Sequence, residues 1–188
     1  QAPGAAARLY TAVDVQDERQ LAFYEHNGFK MDYTEDLVRL NDPDEVPQLF
    51  NCSCITLPLN TVQGQMDLVS RMRGAGFSYF DHGFLLQQMN RQNFAALGIL
   101  YGSNLVGACV AAGQYTSAEV MGLYIVPEFQ RKGLGTRLLQ QTKQALASTG
   151  VTDLTMRVMS DSEPQVRLVQ RFRAELVEHT SVFPSMQI

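Results

Sequence analysis

Apolar and polar residues alternate along this chain with two different periods, and the changes of period mark its elements. Residues 9–15 alternate like a strand. Residues 17–27 carry a helical pattern, with Asp17 as N-cap and Gly28 ending the turn. Residues 29–40 predict two short strands, and residues 41–47, with Asp42-Pro43-Asp44 and a second proline, predict a linker. A second organised region begins with a short strand at 55–59. A helix over 61–73 follows, its Val62, Met66, Val69 and Met72 at helical spacing. Residues 74–90 are aromatic and glycine-containing and predict a loop with at most one helical stretch. Strands at 95–101 and 105–114 flank Gly102-Ser103-Asn104, which is good hairpin chemistry, and a third strand covers 116–126. A long amphipathic helix over 133–148 places Leu134, Leu138, Leu139, Ala145 and Leu146 on one side and stops at Gly150. A strand at 153–159, a helix at 162–172 and two short strands over 175–185 complete the order. Such an order predicts an α/β fold, a mixed, mostly antiparallel central sheet flanked by helices.

Composition narrows the function classes. With 188 residues, 45% of them hydrophobic, the chain can bury one good core. A net charge of −4 gives no broad cationic field for a nucleic acid. No apolar run approaches the roughly 20 residues of a membrane-spanning helix, so the sequence predicts a cytoplasmic protein with neither nucleic acid nor membrane as partner. Cys52, Cys54 and Cys109 are an odd set, and Cys52-Ser53-Cys54 is spaced too closely for an ordinary disulfide framework or a structural zinc pair, so reduced thiols and no metal are expected.

The chemistry concentrates between the strand at 116–126 and the long helix. Gln130-Arg131-Lys132-Gly133-Leu134-Gly135-Thr136 puts a glycine-containing turn directly before a helix N-terminus. Free N–H groups and the positive end of the dipole make an anion site there, and Arg131 and Lys132 add charge at its mouth. A Walker loop would need lysine and a hydroxyl residue after its second glycine, and Thr136-Arg137 stands there. A dinucleotide fingerprint would need glycine or alanine where Leu138 stands.

What remains resembles the Q-x-x-G-x-G signature of the GNAT acetyltransferase family, preceded by that family's strand and Val126-Pro127-Glu128 turn. The resemblance implies acetyl-CoA (coenzyme A) as acyl donor. Leu123, Tyr124, Ile125 and Val126 would pair with the pantetheine arm, and Gln130, Arg131, Lys132, Gly133, Leu134, Gly135 and Thr136 would hold the pyrophosphate. Ser162 stands where the family often has a pantetheine-contacting asparagine. Backbone N–H groups near Leu123 would face the oxyanion. The implied reaction is N-acetylation of a primary amine of a small molecule or peptide by direct attack, with a non-catalytic acyl-CoA sensor or interaction domain as the alternative.

The catalytic groups are less conventional. The family's strand carboxylate falls at Met121, which makes Glu119, on the same face by alternation, the candidate base. The family's tyrosine acid falls at Val169, leaving Tyr115 and Tyr124 as acid candidates. Asp81 and His82, in the aromatic loop, are candidates for binding the acceptor.

Residues 17–29 can also be laid without a gap on residues 162–174. Both resemble the family's fourth helix, and Phe23-Tyr24-Glu25-His26-Asn27-Gly28-Phe29 matches its L-Y-E-x-x-G-F pattern. Residues 1–45 are therefore expected to be the tail of a preceding GNAT-like unit, and 46–188 a complete domain. A tandem two-domain protein is favoured over a unit that completes a partner's sheet or a coincidental repeat. Either a homodimer or packing of the N-terminal unit on the main domain would protect its edges.

Overall fold

The structure, a computed structural model, describes residues 8–187. An N-terminal unit contains β1 (Arg8–Tyr10), β2 (Val13–Asp14), α1 (Glu18–His26) and β3 (Lys30–Arg39). After the linker come β4 (Cys52–Thr56), α2 (Val62–Gly74), α3 (His82–Met89), β5 (Asn93–Tyr101), β6 (Asn104–Gln114) and β7 (Ser117–Ile125). A 3-10 turn (Pro127–Phe129) leads into α4 (Leu134–Ala147), followed by β8 (Asp153–Met159), α5 (Glu163–Arg171) and β9 (Glu175–Gln187). Among the described residues no helix is long and apolar enough to cross a membrane.

Local chemistry explains most of these boundaries. The side chains of Asp17, Thr61 and Asp81 accept hydrogen bonds from the N–H groups of Gln20, Gly64 and Phe84, so α1, α2 and α3 each begin at a short polar residue that satisfies a free donor. The hairpin between β5 and β6 turns at Gly102, whose φ of 61° suits glycine.

The strands form one sheet in the order β1-β9-β3-β8-β7-β6-β5-β4, with β2 also on β9; β7 and β8 run parallel and the other neighbours antiparallel. This is the mixed, mostly antiparallel sheet the sequence predicts. Each face carries a core. Ile99, Cys109, Val120, Leu138, Leu139, Leu146, Leu154 and Phe172 pack between the sheet and α4 and α5. Leu68, Val69, Met72, Phe80, Leu85 and Tyr124 pack beneath α2 and α3. Each fully buried leucine or isoleucine contributes roughly 1.5–3 kcal/mol. Cys109 is one of these packing residues, and burial pushes its thiol up to about 12, with a contact to Thr142 opposing the shift.

Three expectations are corrected. Residues 29–40 form the single strand β3 instead of two, and residues 175–185 lie within the single strand β9. The first strand of the second region begins at Cys52 instead of Ile55, because Cys52 and Ser53 pair with Tyr101 and Leu100 on β5. The one helical stretch allowed for in the aromatic loop is α3, whose N-cap is Asp81.

The first two corrections have one cause. β3 and β9 do not fold back on themselves; they pair with each other from Lys30↔Ser185 to Arg39↔Glu175, through three register shifts. On its other edge β3 pairs with β8, and β9 pairs with β1 and β2. The last strand of each strand-helix-strand unit thus lies beside the first strand of the other unit. The linker follows α4 back across the molecule. Lys143 Nζ lies 2.7 Å from Asp42 Oδ1, and the Asp42 carbonyl accepts from the Arg173 guanidinium at 3.0 and 3.1 Å.

Candidate active site

Unlike α1, α2 and α3, helix α4 begins without a side-chain cap. Its N-cap Gly133 is left-handed at φ 83°, and Arg131 two residues earlier has φ 61°. The first intrahelical bond reaches from the Arg137 N–H to the Gly133 carbonyl at 3.1 Å, so the preceding N–H groups of Leu134, Gly135 and Thr136 have no partner within the helix. Together they form a concave set of donors at the positive end of the dipole, which fits a pyrophosphate. The loop is braced from below. The Gln130 side chain donates to the Ile125 carbonyl at 2.8 Å, and Lys132 donates to the Glu128 carbonyl at 3.0 Å while lying 5.0 Å from the centre of the Phe129 ring.

The two glycines serve different ends. A Cβ on Gly133 would stand 2.8 Å from Pro47 of the linker and would sit at positive φ. Gly133→Ala is therefore expected to cost about 1–2 kcal/mol of folding stability from backbone strain alone, with the Pro47 overlap adding to it, measurable as a lowered urea midpoint. A Cβ on Gly135 would meet only Ile125 and Leu168, at 3.8 and 3.9 Å. Folding leaves room for that one carbon, a methyl-sized gap between the end of β7 and α5.

That gap opens into a wedge in the sheet. The parallel pair β7 and β8 is in register from Ser117↔Asp153 to Val120↔Met156 and then diverges. Beyond that point β7 stays bonded to β6 only, and a register shift between Val110 and Ala111 places Met121 in a bulge opposite them. Among the described residues, 121–125 have no strand partner on the side that faces β8; the Met121 and Ile125 carbonyls accept from the side chains of Tyr79 and Gln130, and the Leu123 backbone between them is left for an extended ligand to pair with. Ser162, half-buried at the start of α5, makes no side-chain cap and borders the same wedge.

A charged cluster stands at the vertex. Glu119, just before the divergence on β7, and Arg157, just after it on β8, point to the face opposite α4, since Ala118, Val120, Met156 and Val158 occupy the α4 core. Arg157 Nε donates to Glu119 at 2.9 Å and Nη1 to Glu35 of β3 at 3.4 Å. Burial pulls the Arg157 guanidinium down, and the Glu119 and Glu35 carboxylates more than offset it, so its pKa is raised. Above them the Tyr79 hydroxyl donates to the Met121 carbonyl at 2.7 Å. Burial, then the carboxylates of Glu119 and Glu35, push the Tyr79 phenol up, which keeps it a proton donor.

The sequence profile of the acetyltransferase (GNAT) family matches residues 67–173, more than half of the chain. The chain belongs to that family. Solved GNAT structures share its fold at low identity. A GCN5-related N-acetyltransferase from Sphaerobacter thermophilus superposes with a TM-score of 0.69 at 14% identity, over 97% of this chain and 60% of that one. A tandem GNAT protein from the clavulanic acid biosynthesis pathway gives 0.65 at 17%, over 96% of this chain and 64% of that one. An aminoglycoside acetyltransferase from an uncultured soil metagenomic sample, solved with sisomicin, gives 0.53 at 17%, over 65% of this chain and 88% of that one. The chain thus spans about three fifths of the length of the Sphaerobacter protein. No curated protein matches it in sequence.

GNAT membership gives the remaining positions their meaning. Val169, where the family often has tyrosine, is buried in the core beside Phe172. Tyr124 points into the core beneath α2; burial pushes its phenol up, partly opposed by Arg71, and its hydroxyl is buried without a hydrogen-bond partner in good geometry. Tyr115 lies in the β6–β7 turn at the closed end of the strand pair, six residues or about 20 Å of extended chain from Met121. Asp81 caps α3, and His82 Nε2 lies 2.8 Å from Gln65 Oε1. Leu123 and Ile125 turn their side chains toward the α4 core and offer the wedge their backbone. Sequence reading did not single out Tyr79, Arg157 and Glu35. Arg157 could have been found as the one cation of its strand, on a polar face with Asp153 and Thr155, but nothing local links Glu35 to it.

Proposed function

We propose that this GNAT chain is an acetyl-CoA-dependent N-acetyltransferase whose acceptor is a cationic primary amine. The observation that carries the reading is continuity: the uncapped donor cradle of α4, the gap at Gly135, the edge of residues 121–125 without a partner strand and the carboxylate of Glu119 follow one another along a single path. Acetyl-CoA supplies the acetyl group already activated as a thioester. The N–H groups of 134–136 hold its pyrophosphate and the edge of 121–125 its pantetheine arm, with Ser162 opposite. Glu119 draws the ammonium to the vertex and takes its proton. Fixing amine and acyl group side by side makes the attack effectively intramolecular, an advantage of roughly 7 kcal/mol or more. As the amide forms the thioester C–S bond breaks, and Tyr79, kept protonated by its raised pKa, is the donor we assign to the departing coenzyme A thiolate. We place the activity in the cytoplasm, where the free thiols stay reduced.

We read residues 1–45 as the end of a preceding GNAT-like unit in a tandem protein, and 46–188 as a complete one. Exchange of β3 and β9 between like units supports this. So does α1, which has no buried residue: its Phe23, the counterpart of Leu168, is 61% exposed and lacks a helix like α4 to pack on.

A non-catalytic acyl-CoA sensor is the second reading, favoured by the buried Val169 and by the ion pair that engages Glu119. Release of coenzyme A thiol, followed with a panel of polyamines, aminoglycosides and amino-acid amides, decides between them. Amine-dependent release is expected. Tight acetyl-CoA binding without release over any amine would favour the sensor.

A further inference from the structure

Tyr79, Glu119 and Arg157 belong to the unit that holds the donor loop, but the second carboxylate on Arg157 does not. Glu35 comes from β3, 122 residues earlier in the chain, and reaches the guanidinium because β3 is inserted between β8 and β9. We propose that Glu35 is a positioning residue of the acceptor site, the alternative seat that Arg157 takes when an ammonium group occupies Glu119, so that the acceptor site is completed across the two units. The inference rests on reading Glu119 as the acceptor carboxylate.

Charge makes the case. Two carboxylates share one guanidinium, leaving one negative charge at the vertex. Nearby, Arg39 pairs with Asp153 at 2.8 Å and also faces Glu175, so it brings no net positive charge to the vertex. Tyr79 adds no charge while protonated. The ligand that completes this balance is a cation; an anion would be repelled. Yet an ammonium on Glu119 would stand against Arg157 unless the guanidinium moved. It has somewhere to go: Nη1 is already 3.4 Å from Glu35, and the Arg157 side chain is 45% exposed and free to swing. The receiving carboxylate is held in place, since the Thr180 hydroxyl lies 2.8 Å from Glu35 Oε2 and 3.0 Å from the Glu35 carbonyl oxygen.

The test uses the whole chain labelled with 15N-arginine, with the Arg157 Nε–H signal assigned through Arg157→Lys and n-butylammonium chloride as probe. In the wild type the signal should shift saturably. Glu35→Gln, close in shape but without the charge, should weaken butylammonium binding by up to about fivefold. Glu35→Asp, which keeps the charge on a shorter arm, should fall between the two, and Glu119→Gln should bind least. All should keep the wild-type acetyl-CoA affinity, which a general loss of structure would not allow. Equal butylammonium affinity in Glu35→Gln and wild type overturns the proposal, as does an Arg157 signal indifferent to the amine. Failure of the donor site would show separately, as a wild type that does not bind acetyl-CoA.

Discussion

Gly135→Glu is expected to abolish acetyl-CoA binding in a protein that remains folded, a loss of at least a hundredfold by isothermal titration. The substitution is informative because the structure does not need a glycine there for folding. Gly135 lies in the first turn of α4, and a Cβ meets only ordinary contacts with Ile125 and Leu168. A carboxylate near a helix N-terminus is itself favourable by about 0.3–1 kcal/mol, and leaving glycine for a better helix former adds up to about 1 kcal/mol. Stability should therefore hold or rise slightly while binding disappears. The carboxylate would answer the same N–H donors that we propose for the pyrophosphate, and its stem would extend toward the wedge. A folded Gly135→Glu protein that still binds acetyl-CoA tightly would show that the donor lies elsewhere.

Glu119→Gln separates transfer from binding. Loss of a general base slows proton transfer by roughly 10²–10⁴-fold, and we expect a fall in kcat of about 10²–10³-fold, or about 3–4 kcal/mol of barrier. The acetyl-CoA dissociation constant should not change, because Glu119 faces the side of the sheet opposite α4. The amide can still accept from Arg157, so the fold should be preserved. A variant with undiminished turnover would remove Glu119 from the chemistry, and Tyr79 acting through water would become the next group to test.

The turn and helix start of the proposed donor loop were legible in the sequence because they are local. A strand, a turn with glycines at two fixed places and an amphipathic helix occupy consecutive residues, and the hydrogen-bonding needs of a helix start follow from them directly. The same holds for Asp17, which caps α1 as its position suggested. The acceptor side is written in contacts between distant segments. Residues 29–40 and 175–185 contain breaks in alternation that resemble hairpin turns, yet in the structure the irregularities are register shifts within long strands that pair with each other. Alternation shows that a strand exists and which residues share a face; it does not name the neighbour. Two short strands over residues 29–40, with no neighbour assigned, give no reason to place Glu35 beside Arg157. The internal repeat was the available clue, since two like units in one chain are able to trade strands.

The exchange of β3 and β9 also bears on how the protein is made. Glu35 and Thr180 touch although 145 residues separate them, so part of the central sheet has a very high contact order. Closing so long a loop slows folding, and β3 must wait through the synthesis of everything between before β8 and β9 exist to receive it. At a few to about twenty residues per second, that wait is on the order of ten seconds, during which β3 carries unpaired edges of the kind that recruit other strands. Its Asp32, Glu35 and Asp36, which charge both faces of the waiting strand, are well suited to keep it soluble until its partners arrive.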